Sequence, residues 1–325
     1  MAKAEMAGMQ LGAFFDRLRP YAPALLLVLL VLGIGIVEPG FMRPKDLSVV
    51  LSDASVLFVL AAGMTFVIML GGIDLSVQAG ASFASMIVAE LLPSFGYGAF
   101  PVTVLVGLVA GLCSGFVHVR LRIPSFIATL ATGGIMAGLS LLMEEGQSVA
   151  LLESGRHESR WITGSLLFGI PNVILIAALV AIGGVFIQRY TRFGRYSTAI
   201  GAGEPAARAA GISVDRYKIM AFGLSGACAA LGGVLLAARL SSGSPDLANQ
   251  LLLPTIAAVV VGGTAITGGI GNIGLTVVGT LIVSIVRIGM TFLGVDIFAQ
   301  QIVFGVALVL AVFVTIDRSK IAIIK

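Results

Sequence analysis

Charge is what this chain has least of. Asp, Glu, Lys and Arg make up 11% of 325 residues, while 58% are apolar. A soluble domain carries about 25% charged residues, so a water-soluble globular protein is excluded. Disorder needs high charge and low hydrophobicity, so a disordered chain is excluded too. Cysteine occurs twice, as Cys113 and Cys228, both inside apolar stretches, and no disulfide framework is expected. The two histidines, His118 and His157, stand in different segments with no thiol near them, so no metal site is expected. A phosphate-binding loop needs Lys directly after Gly. The five lysines follow Ala2, Pro44, Tyr217, Ser319 and Ile324, so this chain has no such loop for ATP. No paired acids and no nucleophile with a base stand at motif spacing, so no catalytic residue and no enzyme activity are expected. The longest polar stretch, residues 189–218, is too short for a separate soluble domain.

Apolar runs and glycine are what the chain has in quantity. Glycine numbers 42. A bilayer core about 30 Å thick takes about 20 apolar residues per helix. Ten apolar stretches fit, at 21–37, 48–70, 75–92, 99–117, 124–143, 168–188, 219–238, 254–268, 273–293 and 297–316. The expected fold is all-α: one polytopic membrane domain over residues 1–325 with about ten transmembrane helices. The first stretch has a long leader containing Asp16 and no small-residue cleavage site, so it is expected to be a helix rather than a signal peptide.

Positive loops stay in the cytoplasm. With the N-terminus inside, fourteen of the twenty Lys and Arg fall on inner segments and five on outer ones, namely Arg43, Lys45, Arg156, Arg160 and Arg239. Both termini are then cytoplasmic, residues 1–20 form an inner segment, and residues 189–218 form an inner loop. The net charge of +4 faces lipid headgroups and calls for no nucleic acid. A second long loop, residues 144–167, lies outside.

A weak repeat runs through the chain. "VIMLGGIDLSVQAG" closes the second stretch and "AVVVGGTAITGGIGNIG" the eighth. Each is an apolar helix, a Gly-Gly break, a short polar run and a new helix. Both enter from one face, so the repeat is parallel, which leans away from the inverted repeats of secondary transporters. Asp74 and Ser76 at the first break have two readings: they cap the next helix, or they wall a polar path. Thr264, Thr267 and Asn272 at the second offer neutral donors and acceptors to a hydroxylated solute, or serve a turn. Ser125, Thr129 and Thr132 share one face of the fifth stretch. They line a sugar path or bond back to their own helix carbonyls. Gly107, Gly111 and Gly115 make a smooth stripe that lets a neighbouring helix approach closely. Arg287, about two turns from the outer end of its stretch, is expected to snorkel outward.

Within the inner loop, Pro205 suits a first helical turn and Gly211 the residue past a helix end. Ala206, Ala207, Arg208, Ala209 and Ala210 between them favour helix. A helix this short is unstable alone in water, so a partner surface is expected.

Four motifs in order, "GGIDLSV" at 71–77, "IPSFIATLAT" at 123–132, "GRYSTAIGAGEPAARAAGISVDRYK" at 194–218 and "IAAVVVGGTAITGG" at 256–269, carry a resemblance. The chain resembles the membrane-spanning permease of ATP-binding-cassette importers, in the branch that handles ribose and related monosaccharides. It departs from that branch at Gln78, where glycine is frequent, at Ile270, and in the run from Leu251 to Pro254. The resemblance implies a bacterial inner-membrane location and a pathway built with a second permease chain, identical or similar. It also implies two separate ATPase subunits holding ATP and Mg, and a periplasmic binding protein that delivers the solute. The inner loop maps onto the coupling helix, so Glu204, Pro205, Ala206, Ala207, Arg208 and Gly211 would meet the ATPase. Asp74, Ser76, Gln78, Ser125, Thr129, Thr132, Thr264, Thr267 and Asn272 are the candidates for the solute path. Permeases for branched-chain amino acids or nucleosides are the nearest alternative, and an ion-coupled secondary transporter a more distant one.

Overall fold

A computed structural model describes residues 22–315 except Leu152 and Phe168. The termini, whose side of the membrane the charge pattern predicts, lie outside the described residues. The described residues form thirteen α-helices. They are α1 (Ala22–Val37), α2 (Pro44–Met69), α3 (Val77–Phe95), α4 (Ala99–Arg120), α5 (Ser125–Leu142), α6 (Glu153–Thr163) and α7 (Asn172–Tyr190). After these come α8 (Arg192–Ala202), α9 (Glu204–Ala209), α10 (Val214–Leu240), α11 (Leu252–Val261), α12 (Ile273–Phe292) and α13 (Ile297–Thr315).

Six helical stretches are long and apolar enough to cross a bilayer. One of them, Val77–Arg120, holds both α3 and α4. It turns through a short 3-10 segment at Gly96–Gly98, where Gly96 takes φ +52°. Three shorter apolar helices, Ala24–Val37, Asn249–Val261 and Phe298–Val309, accompany them. The chain is a helical, multi-pass membrane protein.

The core is built on α2. Pro44 starts it where a missing N–H costs nothing, and Asp46 sits in the first turn against the helix dipole. From Ser52 to Met69 almost every side chain is buried by neighbouring helices. Lipid tails supply no hydrophobic force between helices, so close packing must hold them together. The α4 stripe shows how. A Cβ added to Gly111 would stand 2.2 Å from the Phe222 carbonyl oxygen, and one on Gly107 2.5 Å from that of Gly226. Gly226 answers from α10: its own Cβ would lie 2.2 Å from the Gly107 carbonyl oxygen. The two backbones touch along this seam, as the glycine spacing implies.

Several features depart from the sequence expectation. The eighth apolar stretch is helical only to Val261, because Gly262 and Gly263 end it; Gly263 takes φ +84°. The outer loop holds a helix, α6, whose Trp161 packs edge-on against Phe100 of α4 at 5.8 Å. Four strands of two or three residues also occur: β1 (Val149–Ala150), β2 (Ser165–Leu167), β3 (Ile170–Pro171) and β4 (Ser242–Gly243). β1 pairs with β4 and β2 with β3, both antiparallel. The β1–β4 pair stitches the segment before α6 to the far end of α10, and β2–β3 closes a local hairpin between α6 and α7. The residue 189–218 loop lies at the opposite end, beside both helix breaks, which we call the loop end.

Candidate functional site

The first break follows from two glycines. Gly71 takes φ +78°, which lets its N–H reach the Ile68 carbonyl (2.9 Å) and the Gly72 N–H reach that of Val67 (3.0 Å). The chain from Ile73 to Ser76 is then non-helical, and its N–H groups need partners. The α5 hydroxyls supply them. Ser125 Oγ accepts from the Ile73 N–H and Thr129 Oγ1 from the Leu75 N–H, both at 3.0 Å. Asp74 Oδ1 accepts from the Ser76 N–H at 2.9 Å and from Ser76 Oγ at 2.5 Å.

At the second break, Gly263, Gly268 and Gly269 all take positive φ. Gln188, at the end of α7, bridges the segment. Its Nε2 donates to the Gly271 carbonyl at 2.7 Å and its Oε1 accepts from the Ile273 N–H at 2.9 Å. Asn272 Oδ1 accepts from the N–H groups of Gly274 (2.8 Å) and Leu275 (3.3 Å) and so caps α12. Asp74 and Asn272 thus perform one task, each bonding the backbone two residues on. The two breaks share this local design.

Asp74 is 1% exposed, its side chain sealed inside the protein. Its carboxylate holds the entry to α3, while the Ser76 side chain makes no cap bond of its own. Ser125 and Thr129 are committed to the break, and Thr129 also donates to the Ser125 carbonyl at 2.9 Å. Thr132 Oγ1 bonds Ser114 Oγ of α4 at 2.7 Å. The hydroxyl stripe therefore ties α5 to the first break and to α4. Thr264 is buried with no partner for its hydroxyl among the described residues, and Thr267 is exposed. Gln78 is half-buried on the first turn of α3. Among the candidates for the solute path, the structure brings Asp74, Ser76, Ser125 and Thr129 into one cluster; Asn272 belongs to the other break. The spacing reading missed Gln188. A lone amide beside Arg189 at the end of an apolar run is its only sequence signal.

The two breaks meet. The Gly269 N–H donates to the Met69 carbonyl at 2.9 Å. The end of α8 covers this contact, and α9 follows after the single residue Gly203. Gly211 ends α9 at φ +80°, with its N–H on the Arg208 carbonyl and the Ile212 N–H on that of Ala207, both at 3.0 Å. Pro205, Ala206, Arg208 and Gly211 are exposed, whereas Ala207 is buried against its own chain. Four charges fix α9 to the start of α10. Glu204 takes hydrogen bonds from Arg208 (2.9 Å) and Lys218 (2.6 Å), and Arg208 also reaches Asp215 at 2.5 Å. Burial alone would raise the Glu204 carboxyl. The hydrogen bonds and charges of Lys218 and Arg208 outweigh it and hold the group below the ordinary carboxylate range. These four side chains, with His118, Arg122 and others, line a polar cavity of about 530 Å³ at the loop end.

Toward the far end, Arg287 does not snorkel. Its guanidinium pairs with Asp53 of α2 across the α2–α12 contact. A partly buried cation is more stable against a carboxylate within reach than stretched toward water.

Paired helix breaks meeting beneath an exposed short helix, in a bundle of membrane helices, define a multi-pass membrane transport component. Residues 47–312 match the family described as branched-chain amino acid transport system / permease component, and the chain belongs to that family. It is similar to the ribose import permease protein RbsC of Haemophilus influenzae, 33% identical over 96% of this chain and 97% of that one. RbsC of Bacillus subtilis is 36% identical over 92% and 93%. The L-arabinose transport system permease protein AraH of Escherichia coli K12 is 35% identical over 95% and 92%.

Proposed function

We propose that this chain is the permease subunit of an ATP-driven importer for a monosaccharide, working by alternating access in a bacterial inner membrane. The observation that carries the reading is α9: a short helix closed by Gly211, fixed to the start of α10 by four charges, with Pro205, Ala206 and Arg208 exposed. Its exposed Pro205 and Ala206 beside the Arg208 guanidinium offer a small mixed face to a partner surface, which would add to the support that Ala207 and the ion pairs already give so short a helix. A separate ATPase subunit, holding ATP and Mg, supplies that surface. The relatives that bear ribose and arabinose in their names favour a sugar over the amino acids of the family description. A periplasmic binding protein delivers the sugar, and a second permease chain completes the path.

Ten spans, with both termini cytoplasmic, follow from this reading. Val77–Arg120 counts as two crossings, because 44 residues of helix would be about 66 Å long, twice the bilayer core. The three shorter apolar helices bring the total to ten. The loop end is then the cytoplasmic end.

The test is transport by the reconstituted complex of permease, ATPase and binding protein in vesicles. Removing Ala206 and Ala207 shortens α9 and is expected to leave ATP hydrolysis running while labelled ribose or arabinose no longer enters. Unchanged uptake by the shortened protein would sink the assignment of α9. Uptake by the permease alone, driven by an ion gradient, would sink the importer reading itself.

A further inference from the structure

The junction of the two breaks is built from backbone alone. A Cβ on Gly201 would stand 1.9 Å from the Met69 carbonyl oxygen and 2.3 Å from the Gly269 nitrogen. Those are the two atoms of the 2.9 Å hydrogen bond between the breaks. A Cβ on Gly268 would stand 2.9 Å from the Gly71 nitrogen, and one on Gly269 2.9 Å from the Ala202 Cα. Three segments far apart in sequence therefore touch with no side chain between them. Side chains can absorb a small displacement by changing rotamer, but a backbone contact transmits it.

The helix that carries Gly201 is firmly seated. Phe193 packs edge-on against Phe66 of α2 at 5.4 Å and, with tilted rings, against Tyr217 of α10 at 6.1 Å. Tyr196 meets the same Tyr217 at 5.1 Å. Ile200, one residue before Gly201, is 2% exposed. At the end that carries Gly201, α8 passes into α9 through Gly203 only.

We infer that Gly201 is a positioning residue for transport: it presses on the Met69–Gly269 hydrogen bond, so a displacement of α9 reaches both helix breaks together. This rests on the reading of α9 as the contact with the ATPase. The two breaks then move as one body, and solute passage is timed by the last turn of α8.

Hydrogen exchange on the intact wild-type complex tests this without any substitution. Peptides covering residues 66–72 and 265–272 are followed with and without a non-hydrolysable ATP analogue on the ATPase. Both are expected to change protection together. A change in one alone, or in neither, overturns the inference. A Gly201→Ala complex is expected to import about tenfold less sugar per ATP, within the usual range of coupling between sites. Its half-saturation by loaded binding protein should stay unchanged. Gly183→Ala, where an added Cβ meets nothing within 4 Å, is the control that should keep the wild-type ratio. An assembled Gly201→Ala complex at the wild-type ratio overturns the inference; if that variant does not assemble, the exchange measurement decides. Should the Ala206–Ala207 deletion be silent, the reading of α9 has failed. Should it uncouple while exchange at the breaks stays still, only the role of Gly201 has failed.

Discussion

Asp74 illustrates what one residue does here and how far it can be read in advance. Its place beside Gly71 and Gly72 marks it as polar chemistry at a helix break, and both readings drawn from that had a basis. The structure gives it the work of an acceptor, with Oδ1 holding the N–H and hydroxyl of Ser76. Asn272 performs the same work at the second break without a charge. Asp74→Asn should therefore keep most stability and transport, because an amide oxygen replaces Oδ1. Asp74→Ala should lower the melting temperature in detergent, reflecting a loss of about 1–3 kcal/mol for buried donors left unpaired. Equal damage from both substitutions would mean that the negative charge is itself needed. The partners of Ser125 and Thr129 were not legible at all. Their spacing on one helix face could be read, but what they face lies more than fifty residues earlier, and no local pattern encodes that.

Among the elements, α9 was the most legible: Pro205 near its start, alanines within and Gly211 just past its end are local signals, and the helix formed where they place it. Its ion pairs were less so, because Lys218 belongs to the next helix. They give α9 a predictable response to acid. The carboxyl of Glu204 is lower in the folded protein than in the unfolded chain. Its stabilisation is complete above the unfolded value, about 4.3, and is lost as pH falls through the lower folded value. Protease cleavage within residues 203–211 should be constant from neutral pH to about 4.3 and rise below it. Glu204→Gln should cleave faster at neutral pH and respond less to acid. A wild-type profile that rises already between neutral and weakly acid pH would contradict the sign. By contrast, α6 went unread. Its inward residues Gly155, Ser159 and Ile162 are too few and too small to show an apolar period among Arg156, Glu158 and Arg160.

For the molecule as a whole, the apolar runs located the six helical stretches long and apolar enough to cross a bilayer, since bilayer thickness sets a length that sequence alone reveals. They could not say which helices touch. The Asp53–Arg287 pair joins α2 to α12 across 234 positions. Arg287 looked like a lone cation because nothing near it in sequence is acidic. Each partner is less than a quarter exposed, so removing one strands the other in a poor environment. The double variant Asp53→Ala/Arg287→Ala should lose less stability than the sum of the losses in the two single variants, with a coupling of roughly 0.5–3 kcal/mol in a thermal-melt cycle. Strict additivity would show that the pair contributes nothing.

The shortness of α11 has a consequence of its own. Ten residues of helix rise only about 15 Å, half of what a bilayer core requires. The glycine-rich chain from Gly262 to Asn272 continues from it without helical hydrogen bonding, and any part of it that lies within the bilayer must be shielded from lipid by neighbouring helices. The polypeptide there keeps its peptide groups out of lipid by borrowing the walls of its neighbours, as Gln188 of α7 does for Gly271 and Ile273.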